Sequence, residues 1–358
     1  MEISYDIGSI ETHNTDKVVA SEIKDLVQWD NLINSLQGNP LQLSNWGKLK
    51  AQSSWSVNNI VITNTNHETF AAAQILTRKL PAGLGRISHI PRGPVFADFV
   101  LQNPFLLSTI LGEIINWVTE NLKSIAIIAE PDYSENKFSF TKFISEEFPE
   151  EYSRNWLPSQ TPILFNKTLI IDLTQSQDTI FAGASKKNLQ HLRESDNIGV
   201  KISIAQNIDD VKKVLGVYKE VASRAKFALH SDDYFYQAFK LGIGPLYIAT
   251  LKDEVVSFLW LAQSKSTAFE LWGGANALGQ ANYANTAVKW FAIKDMKAKA
   301  IQRYDMNGLL NDGISNYKRS FAKKEDILVP SHTVALSPKY HLYVKAYKSL
   351  KLLKKVFN

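Results

Sequence analysis

The sequence contains no cysteine, which removes disulfides, thiolate nucleophiles, iron–sulfur clusters and cysteine-ligated zinc from consideration. It also lacks a long apolar run: stretches such as Ile125–Ala129 fall far short of the roughly 18–20 residues that cross a bilayer. The opening segment, MEISYDIGSIETHNTDK, is acidic and polar, with no basic start and no apolar stretch, so no export signal is expected. These absences point to a soluble, cytoplasmic protein. Familiar catalytic signatures are missing as well: there is no Walker loop, no G-x-S-x-G elbow and no H-E-x-x-H. The seven histidines form no ligand-spaced pair on a helix, so neither a bound metal nor another cofactor is expected. The turn Arg78–Arg86 holds Gly83 and Gly85 but not the Arg/Gln-x-x-Gly-x-Gly/Ala spacing that cradles the acetyl-CoA pyrophosphate. A CoA-dependent N-acyltransferase is therefore the second choice among enzymes.

What is present is an ordinary globular balance. The 358 residues include eight Trp, 13 Tyr and 18 Phe, enough apolar surface for two cores. A net charge of +5 suits a polyanionic partner without requiring one. A non-catalytic nucleic-acid or precursor-binding module ranks third, because the basic residues are dispersed except near the C-terminus.

Hydrophobic periodicity gives a mixed α/β first half: a helix over Ser21–Ser35, a short helix around Trp46, strands at Asn59–Thr63 and Thr69–Thr77, a helix over Pro104–Leu122 and a buried strand at Ser124–Ala129. Asn155–Pro162 is the expected linker. Beyond it come a strand at Thr168–Asp172, a helix near Thr179–Ser195, a strand at Val200–Ile204 and helices over Asp209–Arg224 and Asp232–Leu241. Asp209 or Asp210 is the expected cap of the first of these two helices. Strands follow at Gly244–Leu251, Glu254–Ala262 and Ala268–Trp272, with a hairpin at Asp253-Glu254. A helix over Asn285–Ala300, a strand at Arg303–Met306 and a short helix near Ser315–Phe321 complete the half. That order is expected of an acyltransferase fold related to the GNAT acetyltransferases. The chain ends in a basic amphipathic helix with Tyr343, Ala346, Tyr347, Leu350, Leu353 and Phe357 on one side, expected to dock on the protein's own core, with membrane contact the minority alternative.

Separated segments carry a family resemblance. Leu41-Gln42-Leu43-Ser44-Asn45-Trp46-Gly47-Lys48-Leu49-Lys50 resembles the Gln-Ser-x-x-Trp-x-x-x-Lys opening of the Fem-type (FemABX) aminoacyltransferases of the peptidoglycan interpeptide bridge, and Ile90-Pro91-Arg92-Gly93-Pro94-Val95 resembles their Pro-Arg-Gly-Pro-Val segment. Val217-Tyr218 through Arg224, Phe227, His230 and Tyr234 are similar to a helix pair of that family. Glu270-Leu271-Trp272-Gly273-Gly274-Ala275, Tyr304-Asp305-Met306-Asn307-Gly308 and Gly313–Phe321 resemble its later motifs, in the same order. One departure stands out: in SKKNLQHLRESDNIGV (185–200), Leu189 occupies the place of a family arginine, while Lys187 and Arg193 keep theirs.

The resemblance implies two GNAT-like domains in tandem: residues 1–158, completed by the C-terminal helix 336–358 packing back on them, and residues 159–335. It implies a precursor cleft on the first domain and the tRNA acceptor end nearer the second; the coiled-coil arm of some members is not expected, because no long charged heptad segment interrupts the second half. The activity implied is transfer of Gly, Ala or Ser from aminoacyl-tRNA, a co-substrate, to the stem-peptide amine of a peptidoglycan precursor. That precursor is lipid II or UDP-MurNAc-pentapeptide, acted on by a monomer with a peripheral contact to the inner membrane face, in cell-wall biogenesis and cell shape.

Carried over residue by residue, the resemblance makes Lys318 the catalytic residue, an ammonium facing the oxyanion formed as an amine attacks the ester. Substrate binding falls to Lys50 and Trp46, which share a helix face, and to Arg92, Lys187, Arg193, Arg224, Trp272, Asp305 and Tyr317. Most have a plainer alternative. Trp46, Trp272 and Tyr317 suit a core, Arg92 a turn brace, Asp305 a turn cap, and Lys50, Lys318, Arg193 and Arg224 a solvated helix surface. His230 is a possible base, but a hydrogen-bonded helix-start histidine is the commoner case.

Overall fold

Strands from the two halves of the chain condense into two separate sheets of matching design. The computed structural model describes residues 17–136, 143, 156–309 and 313–356, with the main chain alone for 350–356. The first sheet runs, in spatial order, β1 (Val19–Glu22), β2 (Ser56–Thr63), β3 (Thr69–Lys79), β4 (Arg86–Pro91), β6 (Ala126–Glu130), β16 (His332–Ala335) and β7 (Trp156–Pro158), with β5 (Val95–Phe96) paired to β3. All neighbours are antiparallel except β4 and β6. The second sheet runs β10 (Lys201–Ile204), β11 (Leu246–Leu251), β12 (Glu254–Gln263), β13 (Thr267–Ala275), β14 (Arg303–Asp305) and β9 (Ile170–Asp172), again antiparallel except for one pair, β13 and β14. A small ribbon of β8 (Lys167–Thr168) and β15 (Asp326–Ile327) lies apart from both. The fold is thus α/β with two GNAT-like lobes, a repeat that the sequence itself does not display.

Helices cover both faces of each sheet. In the first lobe, α3 (Pro104–Leu122) starts with an Asn103 cap and Pro104, whose fixed φ and missing N–H suit a first turn. It buries Leu107, Ile110, Leu111, Ile114 and Val118 against Ile60, Phe70, Ala73 and Ile75. α1 (Leu26–Ser35) and α2 (Ser44–Ala51) also belong to this lobe, as does α11 (Lys339–Val356), which returns to bury Tyr340 and Val344 against Ile87, Ile125 and Ile128. In the second lobe, α4 (Gln177–Gly183), α5 (Lys186–Ile198) and α9 (Ala284–Ala298) pack on one face, and α6 (Ile208–Ala225) and α7 (Asp232–Lys240) on the other. Two shorter helices, α8 (Ala277–Ala281) and α10 (Gly313–Arg319), flank α9 in sequence. The α6–α7 core also takes in Leu41, Trp46 and Leu49 of the first lobe, so apolar packing is continuous across the lobes.

Several expectations shift. His332–Ala335, assigned by sequence to residues 159–335, lies between β6 and β7 in the first sheet. The helix expected over Ser21–Ser35 begins at Leu26, because Asp25 caps it and Ser21 and Glu22 pair with β2. The helix near Thr179–Ser195 is two, separated at Ala184-Ser185, where the Ser185 hydroxyl accepts the Asn188 N–H. α6 is capped by Asn207; Asp209 and Asp210 occupy its first turn, facing the positive end of the helix dipole. The hairpin turns through Lys252-Asp253, both at positive φ as a type I′ turn requires. On α11, Tyr343 and Tyr347 are half-buried and Ala346 is exposed. The N-terminal segment through residue 16, Asn155 of the linker and Phe357 lie outside the described residues.

Candidate active site

The two parallel strand pairs differ in one respect that creates the site. In the first lobe β4 and β6 stay paired from Ile87–Ala126 to Pro91–Glu130. In the second, β13 pairs with β14 only over Thr267–Phe269, and a register shift at Trp260/Leu261 on its β12 side leaves Leu271 as an extra residue. β13 then continues to Ala275 with no parallel neighbour, and a cavity of about 710 Å³ opens beside it. α6, α9, α10 and the Met306-Asn307 turn complete its walls.

Lys318 lies in this wall on α10. Its ammonium donates to the main-chain carbonyls of Asn307 and Gly308, the latter at 3.0 Å. Those carbonyls are aimed by an unusual turn: Asn307 and Gly308 both have positive φ, and a Cβ at Gly308 would meet the Phe165 ring at 2.7 Å. Asp305 fixes the turn. One of its carboxylate oxygens accepts from the Asn307 N–H (2.8 Å) and the Thr168 hydroxyl (2.5 Å), and the other pairs with Arg303 (3.1 Å). Arg303 in turn grips Asp132 of the first lobe through two hydrogen bonds, at 2.6 and 2.9 Å. Burial would raise the Asp132 carboxyl, but the Arg303 charge and hydrogen bonds hold it below the usual range. A continuous polar chain thus joins the lobe interface to Lys318.

Other expected residues divide cleanly. Tyr317, Arg224 and Trp272 line the same cavity as Lys318. The Tyr317 phenol donates to the Asn285 carbonyl at 2.8 Å, and burial raises its pKa well above the ordinary value. Arg224 donates to the Ala275 carbonyl at 2.9 Å from an exposed position. Trp272 meets Tyr234 and Phe235 edge-on, at 6.2 and 5.0 Å between centroids. Lys50 lies one aromatic layer away, its ammonium over Trp46 of its own lobe (5.1 Å) and Tyr234 of the other (5.9 Å). Burial, then the like charge of Arg78, lowers its pKa. Burial and Lys50 likewise lower that of exposed His230. Trp46 is a core residue, 9% exposed, with an unpartnered indole N–H.

Arg92 and Asp305 are buried braces rather than cavity residues. Arg92, 2% exposed, donates to the Phe165 carbonyl at 2.9 Å and lies over Phe269 at 5.5 Å, so its guanidinium ties the lobes together. Lys187 and Arg193 are exposed on α5 and do not line the cavity. Leu189, at the family arginine's place, packs against the second core, and the α5 residue that reaches the cavity is His191.

Sequence reasoning missed four cavity residues. Glu270 and Lys289 form an ion pair at 2.9 Å, both less than a tenth exposed, and the Tyr304 hydroxyl donates to the other Glu270 oxygen at 2.9 Å. Lys289 also lies 5.3 Å over the rings of Tyr317 and Phe321. Helical spacing with Ile293 and Met296 is the signal that Lys289 faces inward. His191 and Tyr283, the other two, stack on each other and have no comparable signal.

Comparison with known proteins follows the same lines. A model of the FemAB family matches residues 28–241, more than half of the chain. No curated protein sequence matches. Among solved structures, a crystal structure of FemX superposes with a TM-score of 0.78 at 15% identity, covering 91% of this chain and 99% of that one. The C-terminal domain of a putative lysylphosphatidylglycerol synthetase from Agrobacterium fabrum gives 0.56 at 11% identity, over 92% and 96%. A tandem GNAT protein from the clavulanic acid biosynthesis pathway gives 0.52 at 9%, over 90% and 99%. Such identities speak to the fold alone, and they agree with two GNAT-like lobes; the family match carries the assignment, and the chain belongs to the FemAB family.

Proposed function

We propose that the protein transfers a small aminoacyl group (Gly, Ala or Ser) from its ester on tRNA to a free stem-peptide amine of a lipid-linked or nucleotide-linked peptidoglycan precursor. The observation that carries this is the placement of the Lys318 ammonium in the wall of a cavity opened by strand splay, in a chain of the FemAB family. The amine attacks the ester carbonyl; the new C–N bond forms, the C–O bond to the ribose breaks, and the proton leaves with the released hydroxyl. The ester is already activated, so the protein's share is positioning, worth up to about 7–11 kcal/mol in favourable cases, and charge stabilisation. Lys318 faces the developing oxyanion, held by the Asn307 and Gly308 carbonyls so that little reorganisation is needed. Lys50 and Arg224 take the anionic part of the precursor, on either side of the Tyr234–Trp272 aromatic layer.

The test is mass spectrometry of precursor incubated with the protein and an RNA minihelix charged with each of these amino acids. The expected result is a gain of one aminoacyl residue that ribonuclease abolishes. A gain supported by acetyl-CoA in place of charged RNA would overturn the proposal in favour of an ordinary N-acyltransferase.

A further inference from the structure

His191 and Tyr283 line the cavity without a role in the proposed transfer step. They come from different helices: His191 from the middle of α5, Tyr283 from the residue preceding α9. Their rings are parallel to within 11° and 4.0 Å apart between centroids, the geometry of a stacked pair. Other close aromatic contacts in this lobe are mainly tilted or edge-on, as in Trp272 with Trp260 and Phe235. Both residues are half-buried. Among the described residues, neither the imidazole nitrogens nor the phenol has a hydrogen-bond partner.

Tyr283 also occupies an uncommon backbone position. It is the cap residue of α9 at φ 57°, left-handed for a bulky side chain, and it supplies no side-chain cap bond. A serine or asparagine would serve the helix better there. The turn instead presents a ring to the cavity. Two residues on, the Asn285 carbonyl accepts from Tyr317, the neighbour of Lys318, so the stacked pair and the ammonium belong to one contiguous wall. Lys187 lies one turn before His191, on the same side of α5, and is exposed to solvent.

We propose that the His191–Tyr283 pair is a stacking platform for the 3′-terminal nucleobase of the donor RNA, holding the ester toward Lys318, with Lys187 meeting the phosphate of the strand outside. This rests on aminoacyl-tRNA being the donor. A nucleobase has a flat π-face that stacks on Tyr or His, and its edge offers partners for the ring nitrogens and the phenol. The cavity volume, about 710 Å³, is within the range that encloses a ligand the size of an aminoacyl-nucleoside. The site takes single-stranded RNA ends because a base paired in a duplex has both its face and its edge already occupied.

The probes are two labelled RNA minihelices, identical except that one ends in adenosine and the other in an abasic ribose. Fluorescence anisotropy with the wild-type protein is expected to show about tenfold tighter binding of the adenosine end, the scale of one base–aromatic stack. Tyr283→Ala and His191→Ala remove that preference, Tyr283→Phe keeps it, and KM for the precursor stays unchanged in all three. Circular dichroism identifies any variant that fails to fold, and the two alanine variants stand on different helices. Equal binding of both RNAs by the wild type, or an undiminished preference in the alanine variants, overturns the platform while leaving the donor assignment intact. Failure of the wild type to bind either RNA overturns both.

Discussion

At the scale of single residues, the binding role proposed for Lys50 conflicts with stability. Its ammonium is held between two aromatic faces beside Arg78, and among the described residues no carboxylate pairs with it. Because its folded pKa lies below its unfolded one, the unfolded chain holds the proton more tightly, and stability rises with pH between the lowered value and the ordinary lysine value. Lys50→Met is expected to abolish that rise and to increase the melting temperature at neutral pH by about 1–2 °C. The same change is expected to raise KM for the precursor about tenfold, the scale of a lost charged contact. Thermal melts across alkaline pH, with steady-state kinetics, check both. Placement in the cavity wall was legible where a motif framed the residue, as for Lys318 and Trp272, and illegible where only partners define the surroundings. Arg92 is indistinguishable in sequence from a phosphate-binding arginine; its burial against Phe269 and Phe165 becomes visible only when the second lobe is in place. Lys289 and Glu270 are separated along the chain, and nothing local announces that they meet.

At the scale of elements, strand ends act as fasteners. Glu130, at the end of β6, accepts the N–H groups of Ile163 and Leu164 at 2.8 and 2.9 Å and pairs with His89 at 2.7 Å. It thereby pins the segment that leads from one lobe to the other. Burial alone would raise its carboxyl; the His89 charge and hydrogen bond, then the two N–H groups, outweigh that and hold it below the ordinary value. A carboxyl with a depressed folded pKa stabilises the protein above its unfolded pKa and loses that contribution as pH falls through the folded value. Chemical denaturation at successive pH values below about 4.5 is therefore expected to show a stability loss that Glu130→Gln reduces. Identical acid profiles for the two proteins would remove Glu130 from the account. Periodicity found most strands and helices within a few residues, but not the break at Ala184-Ser185 or the parallel-strand splay. The first depends on a cap that competes with an otherwise continuous helical pattern, and the second on a register shift that the pattern of neither strand marks.

At the scale of the whole molecule, the fastenings between the two lobes include the shared core around Trp46, the Arg303–Asp132 pair, Arg92 against Phe165 and Phe269, and the return of the chain into the first sheet. β16 lies between β6 and β7, so the first lobe is incomplete without residues from beyond the second. A fragment ending at residue 160 is expected to aggregate or remain unfolded, because β6 and β7 would each expose an unpaired edge. A monodisperse, cooperatively melting fragment in size-exclusion and calorimetric measurements would contradict this. No helix among the described residues is long and apolar enough to cross a membrane. The tandem architecture was legible from element order and motif order, whereas the exchange of β16 was not, because a four-residue strand carries no mark of the sheet it will join. The central claim, that Lys318 stabilises the charge formed in the second-lobe cavity, is tested most directly by single-turnover transfer with Lys318→Met, using charged minihelix and precursor at saturation. A rate at least about a hundredfold lower, in a variant with an unchanged circular-dichroism spectrum and unchanged precursor affinity, is the predicted result; transfer at the wild-type rate would contradict it.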